Sequence, residues 1–341
     1  MKSTVARSKR SRDEMLPGAG ATSADVIADG ATASTQGISG GEDWETRGAE
    51  ASTLGRDDRD LTTLLSELVT QDLDPSDPAS RDPGFIKAIV PFFEFLRNHY
   101  FRAEFLGTKH FPKTGPFIAV GNHSGGPMIP DVWLKLGFWA TTFGLERPAY
   151  ALVHDAALKV PVVKNFLIKL GGLRATPENA SKALAQGGAL LIYPGGDLDC
   201  LRSFWDRNKI DFQGRTGFIE LAFQHGVPIL PIANVGAHEV YFTLFSSRSL
   251  AKWTGMEKLT RVKTLPLNLG LPWGMWLSGF IPYLPLPSKI VYKIAKPIAL
   301  ERNPKLANDR RAVERVYRRV TRIMQKMMDD LASKRRFPVI G

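Results

Sequence analysis

One cysteine, Cys200, stands in the whole chain, so no internal disulfide can staple it, and the composition fits a reducing compartment. With that cysteine, the six histidines show no metal-ligand spacing. Gly-x-Ser-x-Gly, the nucleophile elbow of α/β-hydrolases, is missing: Gly121 and Ser124 lie three apart instead of two. The phosphate-binding Gly-x4-Gly-Lys-Ser/Thr and the dinucleotide Gly-x-Gly-x-x-Gly are missing too. No stretch reads as a transmembrane helix. The uncharged run Leu265 to Ser288 is broken by Pro266, Pro272, Pro282, Pro285 and Pro287 and by three glycines. It reads as strand, loop and interfacial segment. Met1 to Arg12 is basic but has no apolar core, so it does not read as a signal peptide.

What is present is charge, unevenly spread. The chain has 341 residues and a net charge of +11, long enough for one large domain or two modest ones. Residues 1–80 carry 8 Lys+Arg and 15 Asp+Glu, whereas residues 81–341 carry 37 and 19, a net of +18. The second part should prefer anionic partners: phospholipid head groups, coenzyme A phosphates or an acidic carrier protein. Nucleic acid is disfavoured, because aromatics are not interleaved with the basic residues as a stacking platform needs. Pro17 to Gly41 has almost no large apolar residues and reads as disordered. Leu61 to Leu73 has the length of a short helix, and Asp74 to Pro78 reads as a linker. The expectation for 1–80 is therefore a disordered acidic tail and linker.

From Phe85 onward the patterns strengthen. Phe85, Ile89, Phe92, Phe93, Leu96 and Tyr100 recur at helical spacing, with Pro91 as a kink. Residues 81–108 read as an amphipathic helix, packed on the core or laid on a bilayer. Strand candidates follow at Phe117–Val120, Tyr150–Val153, Ala189–Tyr193, Pro228–Ala233 and Lys289–Ala295. Helices alternate with them at Val160–Leu170, after the Thr176 cap with Pro177 at the first helical position, and at Gly217–His225. This alternation implies an α/β fold, a mixed, mostly parallel sheet flanked by helices, over residues 109–300. Residues 301–341 end in a basic amphipathic helix from Asp309 to Ser333, solvated or touching anionic lipid. Lys164, Lys169 and Lys209 read as solvated charges.

The chain is organised around Val120-Gly-Asn122-His123-Ser124-Gly125-Gly126-Pro-Met-Ile-Pro130-Asp131. A strand runs into a Gly-Ser loop with an imidazole at its start, and Pro130-Asp131 opens a helix. A neutral imidazole is suited to take a proton from an alcohol near pH 7, and a nearby carboxylate can fix its tautomer. Tyr193-Pro194-Gly195-Gly196-Asp197-Leu198-Asp199 is a second glycine turn after a buried strand, whose N–H groups suit an oxyanion or phosphate. Arg215 stands where a helix opens, and His238-Glu239 follows the last strong strand.

These residues resemble the glycerolipid acyltransferases, the lysophosphatidate acyltransferase superfamily, in four blocks over about residues 85–300. Asn122-His123 with Asp131 resembles the first block, and Ser124-Gly125-Gly126 is similar to the monoacylglycerol- and diacylglycerol-acyltransferase-like branch. The family spacing is His-x4-Asp, whereas here position 128 is Met and the first carboxylate is Asp131. Gly171-Gly172-Leu173-Arg174 resembles the second block, Tyr193 to Asp199 the third, and Val227-Pro-Ile-Leu-Pro-Ile232 the fourth. The resemblance implies a glycerol-3-phosphate acyltransferase-like fold and a membrane-associated O-acyltransferase with no cofactor. It would sit peripherally or monotopically on the cytoplasmic face of a membrane. Acyl-CoA, or an acyl carrier protein, would be the donor and a lysophosphatidate-type lipid the acceptor. A neutral-lipid or wax-type acceptor and a non-catalytic lipid-binding role are the alternatives. His123 and Asp131 are then the catalytic pair. Asn122, Ser124, Gly125, Gly126, Arg174, Gly195, Gly196, Asp197, Asp199 and Arg215 are the expected substrate contacts, Arg174 and Arg215 for phosphate.

Overall fold

The computed structural model describes residues 59–341; the tail expected to be disordered lies outside the described residues up to position 58. Ten strands form two sheets: β1 Glu104–Leu106, β2 Phe117–Gly121, β3 Ala149–Val153, β4 Gly172–Arg174, β5 Ala189–Ile192, β6 Ile229–Val235, β7 Phe242–Ser247, β8 Leu265–Gly270, β9 Gly274–Leu277 and β10 Val291–Ile294. The large sheet has the order β1-β10-β6-β2-β5-β3-β4. Its one antiparallel pairing is β10 with β6, so the α/β, mostly parallel reading holds. The main helices are α1 Leu61–Thr70, α2 Pro83–Phe95, α3 Pro130–Phe143, α4 Pro161–Lys169, α5 Pro177–Ala185, α6 Gly196–Cys200, α7 Gly217–His225 and α8 Arg310–Ser333.

The central strands are apolar at every position but Asn234 of β6, because helices cover both faces. Successive residues of β2 alternate between the faces. Ile118 and Val120 pack with α5, α7 and α8, whereas Phe117 and Ala119 pack with α3 and an aromatic cluster. The long helix α8 buries Val313, Val320, Met324 and Leu331 and exposes Arg311, Arg315, Arg318, Arg322 and Lys326. Its charges lie on the sheet face opposite α3.

Three expectations are corrected. The linker stretch is part of the fold. Asp60 caps α1, and Leu64 and Leu68 are buried in a cluster with α2. The Pro75 carbonyl takes the Arg174 N–H at 2.8 Å, and the Asn165 side chain donates to the Leu68 carbonyl at 3.0 Å. A Pro-Ser-Asp composition does not show that a distant strand edge supplies partners. Second, Lys169 is not a solvated charge. It is buried and reaches Glu67 at 2.9 Å and Asp82 at 3.1 Å, which ties α1 to α4. Third, residues 81–108 are not one helix. α2 runs through Pro91, a π-helical turn spans Leu96–Tyr100, and Glu104–Leu106 turns into strand paired with β10. α2 buries Phe85, Ile86, Val90 and Phe93 but leaves Phe92 and Phe95 exposed.

The Leu265–Ser288 run forms β8 and β9, which join β7 in a three-stranded antiparallel sheet. Among the described residues no helix is long and apolar enough to cross a membrane.

Candidate active site

β2 lies in the middle of the sheet, and the loop that leaves its C-terminal end carries His123. That end is where parallel sheets place ligands. Two neighbouring strands anchor the loop. The Asn234 N–H at the end of β6 donates to Asn122 Oδ1 at 2.8 Å, and the Asn122 and Asn234 side-chain amides each donate to the other's carbonyl at 3.1 Å. Ser124 Oγ completes this buried cluster with the two asparagines. Beyond β5, the buried Asp199 carboxylate accepts the His123 N–H at 2.7 Å and is held by Arg202 at 2.9 Å. Burial pushes Asp199 up to about 6 despite Arg202.

The eight-residue gap to Asp131 is closed by a 3-10 turn over Gly126–Met128 followed by Ile129 at φ 39°, ψ 50°. That left-handed conformation is costly for a β-branched residue, by roughly 1–3 kcal/mol. It swings the α3 start back, so that Asp131 Oδ2 lies 3.2 Å from His123 Nδ1. Gly126 also sits at φ 52°, and a Cβ there would lie 2.3 Å from the Tyr241 hydroxyl, so only glycine fits. Asp131 is fully buried, and His123 and Lys135 hold it below the usual carboxylate range against the effect of burial. Burial opposes the His123 charge, yet the Cys200 sulfur and the Asp131 carboxylate outweigh it, so the ring keeps its proton well above the ordinary imidazole value. Burial pushes Cys200 itself up. It is a neutral thiol near pH 7, which leaves the Asp131 carboxylate as the formal charge at hydrogen-bond distance from the ring.

His123 forms part of the wall of a cavity of about 1200 Å³ between the sheet and α2, α3 and α4. Phe93, Phe105, Phe117, Trp133, Phe138 and Phe166 contribute to a wall that is chiefly apolar. Among the described residues, Lys135, His154, Asp197 and Arg215 are the other basic or acidic side chains on it. The volume exceeds the roughly 300–1,000 Å³ of a drug-sized site. The imidazole stacks on Tyr193, with ring centroids 4.3 Å apart. The arrangement is a carboxylate-oriented imidazole facing a large apolar chamber, suited to removing a proton from a hydroxyl carried by a long-chain molecule.

Residues 74–336 match the family model described as diacylglycerol acyltransferase. The chain belongs to the diacylglycerol acyltransferase family. The resemblance to glycerolipid acyltransferases therefore holds, and the chain is an acyltransferase by family. Within 257 aligned residues it is 29% identical to an uncharacterized protein of Mycobacterium leprae, over 75% of this chain and 67% of that one. An uncharacterized protein of Mycobacterium tuberculosis is 29% identical over 64% of this chain and 58% of its own. Human diacylglycerol O-acyltransferase 2 is 27% identical over 45% of this chain and 41% of its own. The match thus spans between two fifths and two thirds of these relatives. Among solved structures, the 1-acyl-sn-glycerophosphate acyltransferase PlsC of Thermotoga maritima matches at TM-score 0.43 and 17% identity, over 79% of this chain and 87% of that one.

In this diacylglycerol acyltransferase family member, the expected site residues divide. His123 and Asp131 meet. Asn122, Ser124 and Asp199 are 1% exposed and bond the protein itself, so they are scaffold and not the substrate contacts expected of them. Gly125 gives its carbonyl to the Tyr283 hydroxyl at 2.6 Å. The Gly196 N–H donates to the Tyr193 carbonyl at 3.0 Å, which removes it as an oxyanion donor. Arg215 donates to the carbonyls of Pro194 and Gly195 at 3.0 and 3.1 Å and to Asp197 at 3.3 Å. It braces the second glycine turn, and a Cβ on Gly195 would collide with Asp199 at 2.5 Å. Arg174 is on edge strand β4, its side chain 52% exposed and 3.6 Å from Asp155, and it does not line the chamber. His238 and Glu239 are buried away from it, Glu239 paired with Arg335 and, at 3.5 Å, with Arg207. Asn234, Lys135 and the stacked Tyr193 ring carry roles that motif reading passed over. A lone asparagine in the apolar run Ile229–Val235, and a lysine one helical turn after Asp131, are the signals that point to the first two.

Proposed function

We propose that this protein transfers a fatty acyl group from a thioester donor, acyl-CoA or an acyl carrier protein, to the hydroxyl of a neutral glycerolipid. His123 is the base. Asp131 accepts from Nδ1–H and leaves Nε2 to take the acceptor proton. The acceptor oxygen attacks the thioester carbonyl, the C–O bond forms, the C–S bond breaks, and the thiolate leaves with the proton that His123 returns. Such base catalysis is worth roughly 10²–10⁴-fold. The observation that carries the reading is the large apolar chamber with the His123–Asp131 pair on its wall. Two placements favour a neutral over a phosphate-bearing acceptor: Arg174 lies outside the chamber, and Arg215 is committed to carbonyls and Asp197.

Membrane association is part of the proposal. Phe92, Phe95, Val160, Val163, Phe280 and Leu284 both line the chamber and are exposed. An apolar rim continuous with an apolar chamber lets lipid enter from a bilayer without crossing water. The β8–β9 hairpin adds exposed Trp273, in its turn, and Met275, on β9. The test is transfer from labelled long-chain acyl-CoA to a panel of lysophosphatidate, monoacylglycerol, diacylglycerol and a fatty alcohol, with His123→Ala alongside. Turnover on monoacyl- or diacylglycerol, lost in the variant, is the expected result. Turnover on lysophosphatidate alone, or equal turnover in both proteins, would overturn it.

A further inference from the structure

Lys135 is an uncommon residue for its place. Its side chain is 10% exposed, one helical turn beyond Asp131 on α3. Burial lowers its titration to about 8, while Asp131 works in the opposite direction. Its Nζ donates to the Asp131 carbonyl at 3.1 Å and to the Tyr193 hydroxyl at 2.9 Å, and lies 3.8 Å from Asp131 Oδ2. It sits 5.0 and 4.9 Å from the ring centres of Tyr193 and Tyr292. Each contact falls on a group that touches His123 or orients what touches it: Asp131 holds Nδ1, and Tyr193 is the ring on which the imidazole stacks.

The other groups around His123 leave Lys135 a clear part. Asp199, from α6, is matched by Arg202. Cys200, Tyr193 and Tyr292 are buried and pushed upward, so they stay neutral near pH 7. His238 is driven down to about 3 by burial and Arg202, so it is neutral as well. The Asp131 carboxylate, 3.2 Å from Nδ1, is then the charge nearest the imidazole, and the Lys135 ammonium, 3.8 Å from the same carboxylate oxygen, is the cation that faces it.

We propose that Lys135 is a positioning residue for the His123 base, offsetting part of the Asp131 charge felt by the imidazole and holding Tyr193 against its face. An unopposed carboxylate in a buried site would hold the imidazolium so firmly that little free base remained near neutrality. A cation on the far side of the carboxylate moderates that grip without leaving Asp131 unpaired. The inference rests on His123 acting as the base, but its test does not depend on finding the acceptor.

The experiment follows the His123 imidazole resonance by NMR across pH 5.5–10 in the full-length protein, identified by its loss in His123→Ala. Lys135→Gln keeps hydrogen bonding and removes the charge; Lys135→Arg keeps the charge. The expected result is an upward shift of the His123 midpoint by about one pH unit in Lys135→Gln, so about tenfold less free base at a given lower pH. Lys135→Arg should stay within about 0.3 unit of the parent, a small part of that shift. Once an acceptor is known, the rising limb of kcat/KM should move with the midpoint while KM holds. An unchanged midpoint in Lys135→Gln, with Asp131→Asn moving it, would overturn the proposal. So would an equal shift in Lys135→Arg, since charge would then not be the cause.

Discussion

Replacing Asp131 with asparagine tests the centre of the site with little change in volume. The carboxylate stands 3.2 Å from His123 Nδ1, and two unit charges at that distance attract by about 5 kcal/mol at an effective dielectric constant of about 20. Relaxation reduces this to shifts of roughly one to three pH units for a carboxylate beside a cation. The sign follows from the competing effects. Burial lowers the proton affinity of His123, the Cys200 sulfur and the Asp131 carboxylate raise it, and the raise prevails. In the parent, free base accumulates as pH rises through a midpoint above the ordinary 6.5, so kcat/KM should climb on the alkaline side of that value. In Asp131→Asn burial acts unopposed by the carboxylate, so the limb should move to lower pH. The plateau should fall, by roughly 10²–10⁴-fold, because the amide no longer selects the Nδ1–H tautomer. The assay is initial-rate acyl transfer from labelled acyl-CoA between pH 5.5 and 9.5. An unmoved limb with an undiminished plateau would refute the pairing of His123 with Asp131.

Other outcomes follow from the same contacts. Asn122→Ala removes both side-chain bonds to Asn234 and strands a buried N–H, so urea unfolding should show a loss of about 2–4 kcal/mol. Arg174→Ala should leave the KM for a neutral acceptor within about twofold, because the side chain is half exposed outside the chamber and such surface changes are usually small. A rise well beyond that would restore a phosphate-bearing acceptor. Trp273→Asp with Met275→Asp should weaken flotation with phosphatidylcholine vesicles by at least about tenfold, since two exposed apolar side chains are lost from the rim; unchanged flotation would place the membrane contact elsewhere.

The sequence alone was enough for those features that depend on near neighbours. Thr176 and Pro177 announce α5, and the structure shows the Thr176 hydroxyl accepting from the Asn179 N–H. The run Gly217–His225 is a helix at both of its expected bounds. The apolar runs around Val120, Leu190 and Leu230 are central parallel strands. Caps, prolines and hydrophobic period act over a few residues, so they are legible in order along the chain. The four blocks placed the chain in its family for the same reason.

Tertiary structure decided the rest, because it depends on partners far apart in sequence. Asp131 reaches His123 only through the left-handed turn at Ile129, which no residue preference at that position foretells. Asn122 finds Asn234, 112 residues on. Lys169 finds Glu67, 102 residues back. Arg174 reads as a phosphate ligand by block, yet it ends edge strand β4 with its side chain half exposed, and it does not line the chamber although Gly172 of the same strand does. Asp199 and Arg215 carry the chemistry of substrate ligands, but burial and short contacts commit them to holding two loops. Residue type states what a side chain can do, and the fold determines which groups are left to do it.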